Sequence, residues 1–295
     1  MRTLTALPLL LALPAGGALA HGGDPHGDLP RWSFDPWIML PLMLAAGLYV
    51  CGTARLWKRA GLGRGIRPWQ AGLYAAGWLA LAGALTSPLH WWGEHLFTAH
   101  MIEHEVVMVV AAPLLVAGRP LGAALWAFPD GLRRRLGRPV QGALWRWLSQ
   151  SGTAMLLHGL AIWLWHLPPL FDATVVHAGL HRAQHLSFLL TALLFWWALL
   201  RRAHPAAAAV HLFVTMLHTG VLGALLTFAP RVLYARQTAQ AGLWGLSPLE
   251  DQQLAGLVMW VPGGIVYAAV ALALVARWVR QSGLGWRDDN ALRAR

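Results

Sequence analysis

His100 and His104 stand four residues apart with Glu103 between them, and His177, His181 and His185 repeat the same interval. On a helix, residues at i and i+4 project from one face, so each run presents its imidazoles side by side. Glu103, three residues from His100, shares that side, and Met108 continues the stripe a turn further along. Two imidazoles so spaced can jointly ligate one metal ion, and a facing helix can complete the shell. The leading candidate ligands are therefore His100, Glu103, His104, His177, His181 and His185, with His166 added by its position near the same face. A second rank comprises His21, His26, His90, His95, Met108, His218 and Met259. Imidazole with carboxylate suits zinc, iron or Cu(II), and imidazole with thioether suits Cu(I); spacing does not choose among them. A plainer role competes at every position, because a lone intramembrane His also bonds helix to helix and a buried Met also simply packs.

The composition says what must position these side chains. Of 295 residues, 57% are hydrophobic and only 12% charged, against about a quarter charged in soluble domains. That excludes a disordered chain, a coiled coil and an ordinary soluble domain, and points to a polytopic membrane protein. A single cysteine, Cys51, excludes an internal disulfide, a thiolate zinc cluster and an iron–sulfur centre. The chain carries 14 His and 18 Trp beside 12 carboxylates. A carboxylate within a span is costly unless paired, neutralised or metal-bound, which singles out Glu103 and Glu105.

Residues 1–20 have the form of a cleaved signal peptide: Arg2, an apolar run over 4–14, and Ala18-Leu19-Ala20 before the cleavage point. Cleavage would leave His21 as the N-terminal residue of an outer segment, 21–36, able to bind copper through its amine and imidazole with His26 nearby. Seven apolar stretches follow that can span a bilayer as helices: 37–57, 69–89, 97–118, 153–170, 181–200, 206–229 and 253–276. The expected fold is all-α, a seven-helix membrane bundle over 37–280 with a tail over 281–295. Seventeen Lys and Arg residues fall in alternate loops and the C-terminal segment, which puts the mature N-terminus outside and the C-terminus inside. The net charge of +11 thus marks inner loops and not a nucleic-acid surface. On this topology ten of the 14 histidines lie towards the outer face, with His158 and His218 deeper, His211 nearer the inner face and His204 in an inner loop.

An ordered set of motifs accompanies this pattern. It runs from His100-Met101-Ile102-Glu103-His104 to Ala112-Pro113-Leu114-Leu115-Val116-Ala117-Gly118-Arg119-Pro120, then Trp165-His166-Leu167-Pro168-Pro169-Leu170-Phe171-Asp172. His181-Arg182-Ala183-Gln184-His185, Phe195-Trp196-Trp197, Asp251-Gln252-Gln253 and Met259-Trp260-Val261-Pro262-Gly263-Gly264 complete it. In order and spacing the chain resembles the multi-spanning CtaG-type cytochrome c oxidase assembly factors, which are unrelated to the single-span copper chaperone sharing that name. The resemblance implies a multi-pass protein of the bacterial inner membrane that helps build a haem–copper oxidase by handling copper, as Cu(I) or Cu(II). It implies oxidase subunits and a periplasmic copper chaperone as partners besides the lipid bilayer, and no enzymatic activity. The segment His21 to Asp28 is not part of the pattern. The residues themselves leave other classes open: a copper transporter using His158, His211 and His218, a His-ligated metal-dependent membrane enzyme, or a haem or quinone protein.

Overall fold

The structure is a computed structural model that describes residues 29–293, with side chains described for all of these except 140 and 283–293. The signal peptide over 1–20, His21 and His26 lie outside the described residues. Every regular element among the described residues is helical. Proline sets many of the boundaries. Seven helices begin on one: α1 (Pro36–Ala60), α2 (Pro68–Thr86), α3 (Pro88–His95), α6 (Pro120–Trp126), α10 (Pro168–Val176), α12 (Pro205–Thr227) and α13 (Pro248–Arg293). Proline suits the first turn, where its missing N–H has no intrahelical partner to lose. The others are α4 (Phe97–Glu105), α5 (Ala112–Ala117), α7 (Asp130–Gly137), α8 (Ala143–Leu148), α9 (Ser151–Trp165) and α11 (Ala178–Arg201). A π-helical segment, Val106–Ala111, joins α4 to α5 into one continuous rod.

Five helices are long and apolar enough to cross a membrane: α1, the α4–α5 rod, α11, α12 and the Pro248–Ser282 part of α13. The pair α9 and α10, bent by 73° at its break, makes a sixth if taken as one span. The expected seven spans are thus met by five or six among the described residues. The stretch 69–89 is not one helix: Ser87 ends α2 and caps α3 by accepting from the Leu89 N–H at 3.2 Å. α2 keeps 19 residues but is not among the five. The stretch 153–170 breaks after Trp165, where Pro168 and Pro169 restart the chain as α10.

α12 and α13 pack closely along small residues; a Cβ on Gly256 would come within 2.6 Å of the Gly223 carbonyl oxygen. α13 also lies on α4, α11 on α9 and α5, and α1 on α6. The lateral faces are apolar and exposed, as at Leu44, Leu160, Val210 and Ile265, which suits lipid. Basic residues from separate loops gather at one end of the bundle. Arg201 donates to the Val116 and Ala117 carbonyls at 3.0 and 2.9 Å, Arg119 reaches the Gly65 carbonyl, and Arg59 pairs with Asp130 at 3.2 Å. His100 lies near the other end of the α4–α5 rod, roughly 26 Å away at 1.5 Å per residue.

Candidate metal centre

Two helices and one short helix bring the histidines together. α4 supplies His100, Glu103 and His104; α11 supplies His181 and His185; α3 supplies His90. The position of α4 is fixed from far away in sequence. Buried Asp251, in the first turn of α13, accepts the Phe97 N–H at 2.8 Å, the Thr98 N–H at 2.9 Å and the Thr98 hydroxyl at 2.7 Å. These are first-turn N–H groups without intrahelical partners, so a carboxylate there both satisfies them and complements the helix dipole. Neighbouring Gln252 accepts the Leu233 N–H, and Tyr234 in that loop donates to the His166 carbonyl at 2.6 Å. The Asp251-Gln252 pair thus holds both α4 and the end of α9.

One donor atom from each of His100, His181 and His185 lies within 4.8 Å of the other two. The Nε2 atoms of His181 and His185 are 2.7 Å apart. The His104 ring stands edge-on to those of His100, at 4.2 Å, and His185, at 4.9 Å. His104 is buried with neither ring nitrogen hydrogen-bonded. A buried imidazole that bonds nothing costs stability, and His104 stands so among rings that face one another closely enough to share a cation. Phe171 and Phe188 wall the group against His100 and His104.

Glu103 stands behind these rings, outside the three converging donors. Its Oε1 accepts from His90 Nδ1 at 2.8 Å and lies 3.7 Å from His185 Nδ1. A carboxylate facing one nitrogen of an imidazole turns the other nitrogen towards a metal and raises its basicity. Close approach is possible because residue 93 is glycine: a Cβ there would sit 2.8 Å from Glu103 Oε2. His90, in α3 outside the spans, feels two opposed effects. Burial disfavours its charge, but the Glu103 charge and hydrogen bond outweigh burial and raise its pKa to about 9. Glu94, 3.9 Å from His90 Nε2, adds to that field.

The remaining predicted residues divide. His166 is buried at the end of α9, donates from Nδ1 to the Ile162 carbonyl at 2.7 Å, and leaves Nε2 without a hydrogen bond. It lies across Phe171 and Phe188 from the group, with ring centroids 6.1 and 6.2 Å from theirs. His177 does not join: α11 begins at Ala178, leaving His177 as its exposed N-cap. His95 bonds back to the Trp91 carbonyl at 2.7 Å and stacks on that ring. Met108 and Met259 are core residues, and Trp196 donates to the Met108 carbonyl. His218 lies on the contact of α9 with α12. Glu105 faces away from Glu103, towards α13, where a Cβ on Gly263 would meet its Oε2 at 2.6 Å. Glu94 and Gln184 were not singled out by the sequence. Glu94 carries an i,i+4 signal with His90; Gln184, fully buried between His181 and His185 in sequence with neither amide atom hydrogen-bonded, carries none.

Three curated relatives, all uncharacterized mycobacterial proteins, are similar to this chain. That of Mycobacterium leprae (strain TN) is 27% identical over 85% of this chain and 40% of its own length. Those of Mycobacterium bovis (strain ATCC BAA-935 / AF2122/97) and Mycobacterium tuberculosis (strain CDC 1551 / Oshkosh) are each 28% identical over 86% of this chain and 40% of theirs. The chain therefore spans about two-fifths of the length of the curated relatives it matches. No solved structure matches. The family model for the cytochrome c oxidase caa3 assembly factor covers residues 47–281, which include the whole His90–His185 group and Asp251. On that match and its apolar helices, this chain is a multi-pass membrane protein that belongs to the family of cytochrome c oxidase caa3 assembly factors.

Proposed function

We propose that the protein binds copper as cargo at His100, His181 and His185, with His104 and His166 in reserve, and delivers it to a haem–copper oxidase during assembly. The observation that carries this reading is the convergence of three imidazole donors within 4.8 Å of one another, backed by the buried carboxylate of Glu103. Neutral imidazole ligates copper in either oxidation state, and the added His104 offers a step for ligand exchange. A delivery site needs labile, partly reachable ligands rather than a closed cage; His181 and His185, on α11, are less buried than His100. The gathering of arginines at the opposite end supports placing the His group at the outer face of the bacterial inner membrane, by the positive-inside rule. There a periplasmic copper chaperone could supply it. No step requires the chain to act as an enzyme.

The test is complementation. A host lacking its own copy is given the wild-type protein or the His100→Ala/His185→Ala variant, and the copper content of the purified oxidase is measured. The reading predicts a variant present in the membrane at the wild-type level and an oxidase depleted of copper. Fully copper-loaded oxidase in the variant strain would overturn it.

A further inference from the structure

The connection 118–150 carries α6, α7 and α8 from the end of α5 to the start of α9. It is pinned at the level where the spans end. Asp130 pairs with Arg59, in the last turn of α1, at 3.2 Å, and with Arg133 at 3.1 Å. The Arg133 guanidinium in turn lies 3.9 Å over the Trp126 ring. Further along, Trp145 stands edge-on to Trp197, one turn before the end of α11, with ring centroids 5.9 Å apart. Arg202, just past that end, donates to the Ser149 hydroxyl. α7 and α8 therefore lie at the boundary of the apolar belt, yet neither buries a residue. At 3.6 residues per turn, Leu132 and Leu136 share one face of α7. Both are exposed, as are Leu144 and Trp147 on α8. Arg133 and Arg135 flank that apolar face, and Arg134 stands on the opposite side of the helix. Arg133 has its counter-charge in Asp130. Arg134, Arg135 and Arg138 are exposed and pair with no carboxylate among the described residues.

We propose that α7 and α8 form a docking surface for anionic phospholipid, with headgroup phosphates held by Arg135 and Arg138 and the acyl boundary entered by Leu132, Leu136 and Trp147. An apolar stripe edged by arginines, held at the depth of the span ends, is the form of a helix that lies in the interface. Charge complementarity selects the lipid. Four arginines fall within residues 133–138, and the one carboxylate of α7, Asp130, is already shared between Arg59 and Arg133. A guanidinium takes two phosphate oxygens at once through its planar fork. A zwitterionic headgroup brings its own cation to compete for that phosphate, and an anionic one does not. The lipid so held also braces the bundle, because the connection joins the α4–α5 rod to α9. These helices carry His100 and His166 at their other ends.

The test places the full chain in nanodiscs of phosphatidylcholine alone or of phosphatidylcholine mixed with phosphatidylglycerol. Hydrogen exchange of the amides of residues 131–138 is then followed by mass spectrometry. Slower exchange is expected in the discs containing phosphatidylglycerol. That advantage should fall about fivefold with Arg135→Gln and again with Arg138→Gln, the contribution of one arginine at an anionic surface, and it should shrink as salt is added. Arg134→Gln removes the same charge from the opposite side of α7 and should cost less. All three positions are exposed, so the thermal melt of each variant in detergent stays at the wild-type value. Equal exchange in the two discs overturns the proposal. Fast exchange in both leaves the face open to a protein partner, and slow exchange in both makes it an apolar contact without headgroup recognition. Equal losses from Arg134→Gln and Arg135→Gln overturn it as well, since they mark a diffuse charge attraction with no docking face.

Discussion

Asp251 and Thr98 are 153 residues apart in sequence, yet one carboxylate oxygen of Asp251 accepts both the backbone N–H and the hydroxyl of Thr98. This contact sets where α4 begins, and thereby where His100 and His104 point. Asp251→Ala leaves three donors of a buried helix start without their acceptor, which costs about 1–3 kcal/mol per buried group left unsatisfied. The expected outcome is a lowered melting temperature in detergent together with weaker copper binding.

Glu103 acts through His185 and His90 rather than as one of the converging donors. Glu103→Gln should retain the copper stoichiometry and weaken affinity by about 10–100-fold, the usual cost of losing such a partner. A chelator-competition titration distinguishes this from loss of a ligand, which removes the site itself.

Glu105 is separable from the copper chemistry. Gly263→Ala would force a Cβ to within 2.6 Å of Glu105 Oε2, so the carboxyl or helix α13 must move. Overpacking of this kind costs about 1–3 kcal/mol. Thermal unfolding should record that loss while copper stoichiometry stays at the wild-type value.

His90 links stability to pH. Its pKa in the folded protein, raised to about 9 from 6.5, favours the charged form there. Its pairing with Glu103 therefore contributes fully below pH 6.5 and is lost as the pH rises through about 9. In metal-free buffer, the melting temperature of the wild type should decline across that interval, and that of His90→Ala should decline less.

Much of the site could be read from the sequence because it lies within single helices. The i,i+4 pairs His100–His104 and His181–His185 depend only on helical geometry, and both pairs meet in the structure. What could not be read is where helices start and which faces meet. His177 continues the same spacing but caps α11 from outside, because the helix begins one residue after it. His90 has only the i,i+4 Glu94 to mark it locally; a turn from α2 into α3 at Ser87–Pro88 carries it over to Glu103. The same turn, and the bend before Pro168, divided stretches that hydropathy alone joins, since an average over a window is blind to a proline that restarts a helix. The π-helical segment after Glu105, which alters the facing of everything beyond it in α5, has no sequence signal we can identify.

The central claim is that three imidazoles on α4 and α11 hold copper. Equilibrium Cu(I) titration of the purified protein against the His100→Ala/His181→Ala/His185→Ala variant tests it most directly. The account predicts loss of the site presented by these three residues, with the variant still folded by its thermal melt. Equal stoichiometry and equal affinity in the two proteins would contradict it.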